Sequence, residues 1–404
     1  MNTQDLKYKY FIEQGVGTGS AMDMELRWLQ SLGAKSNQVN DAWYEYLTGE
    51  GYEGALPDMQ LGYLRSFGFT GSINDMWSQF WLAPPSGGGD TPDVSDVFNI
   101  DLYTGSSPSG KTIVNGHDYV NEDWMLWFKP REAFFTTSVF DTLRGRDRVL
   151  RTALANREGT DTTTLLSYNT DGYSLGSGSG GNHPAGMVSW SFKKHPKFLD
   201  IITYTGDGVG GRKIPHALGC QAGMVIVKKL SNSGHWYVQH FSRGGTGRTA
   251  LNSPALEANN NTYWDGTAAD ENNVTLGNTT HVNGVGDSFV MYVFAHEDGP
   301  DGIIQCGEYQ GSLSGTDVTL GWAPQYLLVK KATSLVNSGD YWALLDTARG
   351  LAVGDDKYLS PSIASEESSQ DVVDPLIDGF KAVAGGTLSE PGANYIYMAI
   401  RAPS

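Results

Sequence analysis

The sequence predicts a mainly β protein: three tandem β-sandwich or jelly-roll-like units of about 100 residues, preceded by a small N-terminal module of short helical repeats. Three observations predict it. Glycine supplies 51 of 404 residues, well above the usual ~7%, which favours turns and breaks long helices. Aromatic residues reach 11% while charged residues stay at 18%, so the chain carries enough apolar surface to fill a core and is not disordered. Two kinds of internal repeat then run along it, one of about 18 residues and one of about 100.

The short repeat comes first. Gly15, Gly33, Gly51 and Gly68 recur at spacings of 17 or 18, as do Asp23, Asp41, Asp58 and Asp75. Each unit reads as a Gly-rich turn, an Asp N-cap and a helix of about two turns closed by Gly. Leu26, Leu29, Trp43, Leu47, Leu64, Phe67 and Phe80 fall at roughly helical spacing. Helices this short are marginal alone and must pack on one another. Residues 1–82 therefore read as a helical module, followed by a Pro/Gly linker over 83–94.

The long repeat divides the remainder into units 95–198, 199–302 and 303–404. Five landmarks recur in order. A strand and turn comes first, IDLYTGS, IITYTGD and QCGEYQGS. A buried strand ending in basic residues follows, WMLWFKP, MVIVKKL and YLLVKKA. Then come SVFDTLRG, YVQHFSRG and ALLDTARG, followed by DGYSLG, NNVTLG and DGFKAV. MVSWSFKK, FVMYVFAH and YIYMAIRA close the units. These β-branched and aromatic runs are separated by Gly, Asn, Asp and Ser, as strands are. Three units in series predict an elongated body.

Net charge is −17 and the pI about 4.8, which argues against nucleic acid or an anionic membrane as partner. Cys220 and Cys306 are too few for a disulfide framework or a Cys-based zinc site. The opening MNTQDLKYKYFIEQG has no apolar run of a signal peptide, and the sequence predicts synthesis in a cytoplasm.

Most motifs that resemble chemistry fail on context. Gly105 to Thr112 fits the phosphate-loop pattern, but TIVNGHDYV follows it where a helix must open. The glycines of 206–211 and 176–181 fit the dinucleotide fingerprint and lack its helix. The eight histidines show no metal spacing, and neither a metal nor a cofactor is expected. Arg144, Arg243 and Arg349 recur in all three units, which favours pairing inside the fold over binding of an acidic sugar. The acidic loops near Asp298 and Asp355 lack the ordered ligand spacing of an EF-hand. Tyr263, Trp264 and Asp265, among asparagines, are the sugar-contact candidates, since aromatic faces stack on sugar C–H faces while amides and carboxylates bind hydroxyls. Asp265 and Glu271 are the carboxylates a glycosidase reading would use.

Several segments carry a resemblance: SWSFKKHPKFLDIITYTGDG, IPHALG, YVFAHEDGPDGIIQCGEYQG, LGWAPQYLLVKKA, LLDTARG and PGANYIYMAIRAP. Over about residues 95–404 the chain resembles virion structural proteins of tailed bacteriophages, cyanophages and other marine phages among them, of the tail fibre or appendage type. The resemblance implies a non-enzymatic homotrimer in the virion. Residues 1–82 would dock to other tail proteins, and the β units would extend outward to a host glycan or protein receptor. A capsid decoration or head fibre protein is the structural alternative, and a polysaccharide depolymerase the enzymatic one. The middle unit departs from its neighbours, with HFSRG where they read DTLRG and DTARG, so an Asp–Arg pair is in doubt there.

Overall fold

The computed structural model describes residues 25–27, 29–30, 35–49, 55–60, 77, 92–336 and 339–403. Two compact units divide the chain, 1–90 and 91–404.

In the first unit a helix spans Val39–Gly49 and buries Ala42, Trp43 and Leu47. Asp41 lies inside its first turn rather than at the cap, where its charge still opposes the exposed N–H dipoles. Just ahead of the helix, the backbone of Lys35 and Ser36 donates to Glu45 Oε2. Trp43 Nε1 donates to Glu25 Oε1 at 2.9 Å, and Leu29 is buried, so these short segments pack on one another. Of the third repeat, residues 56–60 are helical, with Met59 buried and Asp58 inside the turn rather than ahead of it. Asp23, Leu64, Phe67, Asp75, Phe80 and the linker up to 91 lie outside the described residues.

In the second unit the chain enters through a helical turn, Val94–Val97, capped by Asp93, whose Oδ1 accepts from Ser95 N. Val94, expected in the linker, is instead buried with Val97 against the first sheet. Three antiparallel six-stranded sheets follow, built to one plan. The first runs, in spatial order, Phe98–Thr104, Gly186–Lys193, Trp124–Pro130, Ser138–Asp141, Arg148–Arg151 and Gly159–Thr160. The second runs Leu199–Thr205, Ser288–Ala295, Ala222–Lys229, Trp236–His240, Gly247–Ala250 and Ala258–Asn259. The third runs Ile304–Gln310, Asn394–Arg401, Pro324–Lys331, Ala343–Asp346, Asp356–Leu359 and Ser368–Gln370. A small sheet of two or three strands covers one face of each, as in Lys111–Val114, Gly172–Leu175 and Leu165–Asn169 of the first.

The other face of each sheet packs on the other two units. In strand Trp124–Pro130, Trp124, Leu126 and Phe128 point into the unit's own sandwich. Met125 and Trp127 point into a core shared by all three units. Tyr326 of the third unit lies 5.4 Å from Phe98 and 5.8 Å from Phe192, and Phe192 lies 5.7 Å from Phe294 of the second. The expected serial, elongated body is thus corrected: the units close on one another around a common core. Burial of both faces explains why these central strands are apolar at nearly every position instead of alternating.

Turn glycines permit this packing. A methyl on Gly105, Gly206 or Gly311 would stand 1.9, 2.2 or 2.3 Å from a carbonyl oxygen of the loop crossing it, which explains why the strand-and-turn landmark keeps its glycine three times.

Candidate functional site

The recurring Arg landmark sits at the junctions between units. Sheet registers make Asp141, His240 and Asp346 equivalent, each opposite Met125, Met224 or Tyr326. By the same registers Trp190, Tyr292 and Met398 are equivalent. Asp141 Oδ2 accepts from its own Arg144 Nε at 2.6 Å and from Tyr292 OH of the second unit at 2.7 Å. Asp346 Oδ2 accepts from Arg349 Nε at 2.7 Å and from Trp190 Nε1 of the first unit at 2.9 Å. Each carboxylate thus ties its own arginine to a neighbour's aromatic donor.

The second-to-third junction differs. The donor position there is Met398, which has no polar hydrogen, so an Asp at 240 would face no donor from the third unit. His240 stands in its place, with Nε2 3.0 Å from the Tyr397 carbonyl and Nδ1 2.9 Å from Ser242 Oγ. Burial, with His296 and Arg243 nearby, pushes its imidazole down to about 4, so it is neutral at pH 7 and its Nε2–H donates to that carbonyl. Arg243, freed from an Asp, bonds Glu257 at 2.8 Å and reaches Glu308 of the third unit at 2.8 Å. The doubt over HFSRG resolves into a different pairing.

Three loops complete the ring by crossing to the next unit. The backbone N–H of Glu158 donates to Leu230 O, that of Glu257 to Ala332 O, and that of Glu367 to Arg131 O. Lys129, Lys228 and Lys330 are equivalent and buried, and their ammonium groups donate to carbonyls alone: Ile363 O for Lys129, Gly234 O for Lys228 and Pro254 O for Lys330, among others. Burial pulls all three down to about 8. The basic endings of the second landmark were visible in the sequence, but the loops that receive them were not.

Other expected features resolve as structure. The phosphate-loop pattern joins two strands, and Lys111 begins the second of them. Asn182 Nδ2 cinches that loop through Ser109 O, as Asn283 Nδ2 cinches the 206–211 loop through Val209 O. The 176–181 glycines feed a helical turn of four residues, Ser179–Asn182. Asp298 accepts from Gln305 Nε2, and the buried Asp356 accepts backbone N–H groups of Val372 and Val373. Among the described residues no group of three or more His, Cys, Asp or Glu is placed to hold a metal ion.

The sugar-contact candidates fare differently from one another. Trp264 is fully buried and Tyr263 is 5% exposed, so neither offers a free ring face, which corrects that expectation. Asp265 is exposed, in a left-handed conformation at φ 52°, and closes the helical turn Asn261–Trp264. Glu271 is exposed as well. An open groove of about 740 Å³ lies where the first and second units meet, lined by Arg148, Arg157, Glu158, Ser231, Ser233 and Ser288 among others.

A family model described as a domain of unknown function, DUF7483, matches residues 93–402. The chain belongs to the DUF7483 family. The matched span covers the whole three-unit ring and begins at Asp93, the cap of its entry turn. No curated protein matches the chain. A solved structure described as the STIV MCP aligns with 75% of this chain and 95% of its own, at 7% identity and a TM-score of 0.15, a likeness that carries no argument. In the DUF7483 domain the recurring Asp, Arg and Lys side chains are thus bonded within the ring, most of them across its junctions.

Proposed function

We propose that this chain is a non-enzymatic structural subunit of a phage particle, a tail fibre or appendage protein. Residues 1–82 dock to other tail proteins, and the DUF7483 ring is presented to the host surface, where it meets a glycan or protein receptor. The supporting observation is the closed ring: Asp141, Asp346, His240, Arg144, Arg349 and two of the buried lysines, Lys129 and Lys330, are committed to holding units together. A body whose polar side chains serve closure suits a structural role, and the segment resemblance to phage appendage proteins supplies the setting. The homotrimer rests on the resemblance, since the aromatic side chains of the sheets are largely buried within one chain. Sedimentation of the purified chain at three times 43.8 kDa supports the trimer, and at one times 43.8 kDa it removes it.

Immunogold labelling of intact virions with antibody against residues 95–404 tests the main reading. Gold on tail-associated fibres is expected, with loss of adsorption when the ring is deleted. Gold over the capsid replaces this reading with a decoration protein, and release of reducing ends from host polysaccharide replaces it with a depolymerase.

A further inference from the structure

On its own side of the sheet, the middle unit gathers a cluster its neighbours lack. Tyr237 and Arg248 come from adjacent strands, Tyr263 from the turn Asn261–Trp264 and His281 from the turn Thr280–Asn283. The Arg248 guanidinium lies 4.7 Å from the Tyr263 ring centre and 5.8 Å from that of Tyr237. The His281 ring stacks on Tyr263 at 5.7 Å with 9° between planes, and His235 lies 5.9 Å from Tyr237. The equivalents of Tyr237 are Ser138 and Ala343.

Arg248 is half-buried and its Nε has no acceptor. In the described ring only one other arginine, Arg157 on an exposed loop, also has no carboxylate or carbonyl bound to its guanidinium. A guanidinium left unpaired in a chain of net charge −17, and held against two aromatic rings, is preorganised for an oxyanion. The exposed His281 adds a second donor beside it. Its imidazole is held below the usual value by burial first, then by Lys229, Arg248 and His235; no carboxylate figures among these influences. The nearest acid to Lys229, Asp287, is already bonded to it at 2.8 Å.

We propose that this cluster binds an oxyanion carried on a saccharide, a carboxylate or a sulfate or phosphate ester, with Arg248 as the fork and His281 as the second donor. Its biological role rests on the adsorption reading above and names a ligand class for it. The test is titration of the full chain with glucuronate, inorganic phosphate and uncharged glucose, followed by imidazole NMR signals. Glucuronate is expected to shift His281 and raise its titration midpoint, and added salt to weaken binding. Arg248→Gln should lose at least about tenfold in affinity, and His281→Gln, a change at an exposed site, should weaken binding while leaving the thermal melt unchanged. Glucose binding as tightly as glucuronate, or unchanged affinity in both variants, overturns the site. Phosphate binding as tightly as glucuronate overturns its saccharide half. Gold over the capsid would refute the adsorption reading and leave this binding intact, so the two failures are distinguishable.

Discussion

Two of the three junctions in the ring are closed by a buried carboxylate and the third by a neutral imidazole, and the difference follows from one position on the facing strand. Where that position is Tyr292 or Trp190, an Asp can hold its own Arg and a neighbour's donor together. Where it is Met398, the carboxylate gives way to His240 and the arginine turns to Glu257 and Glu308. A buried charge is tolerable only where every lone pair finds a donor. Junction chemistry is therefore a property of pairs of positions far apart in sequence.

The largest expected effect breaks a carboxylate junction. Asp346→Ala leaves Arg349, whose side chain is 0% exposed, without its main partner, Glu367 being 3.7 Å away, and strips the acceptor from Trp190. A loss of about 3–5 kcal/mol is expected in denaturant unfolding. Asp141→Ala should cost less, because Arg144 keeps Glu158 at 3.0 Å. Equal losses would mean that burial, not pairing, sets the cost.

Acid should act through the imidazole junction. His240 titrates at about 4 when folded, against an ordinary value of 6.5, so the unfolded chain binds the extra proton between these values. Stability at this junction is full above pH 6.5 and falls as pH drops towards 4, by up to about 3 kcal/mol. His240→Asn should flatten that part of the stability–pH curve; an unchanged curve would remove His240 as the acid-labile element.

The subtlest expectation converts one junction into the other. His240→Asp alone and Met398→Tyr alone should each destabilise, while the double variant should recover about 1 kcal/mol of coupling in a double-mutant cycle. Absence of coupling would mean the ring is not regular enough at this corner for the Asp141–Tyr292 arrangement to be rebuilt.

The three-unit plan was legible in the sequence because its landmarks are local. A glycine where two loops cross, a strand ending in lysine and a strand closed by Arg-Gly recur wherever the same turn is built. The candidate site was less so. Trp264 in a run of asparagines reads as a surface aromatic, yet the helical turn Asn261–Trp264 rolls it fully into the core. Tyr263 was singled out, but its neighbours Arg248 and His281 lie 15 and 18 residues away in sequence and meet it only when a strand and two turns converge.

By itself, then, the sequence determined the β class, the threefold repetition and the position of the turns, because alternation, glycine placement and strand-forming runs act over a few residues. It even marked the second buried face, since a strand such as WMLWFKP, apolar almost throughout, cannot have one side in water. Only the tertiary structure decided what covers that face. Closing three units into a ring instead of a line depends on which side chains meet across more than 100 residues, as Asp141 meets Tyr292 and Trp190 meets Asp346, and no local pattern encodes the partner.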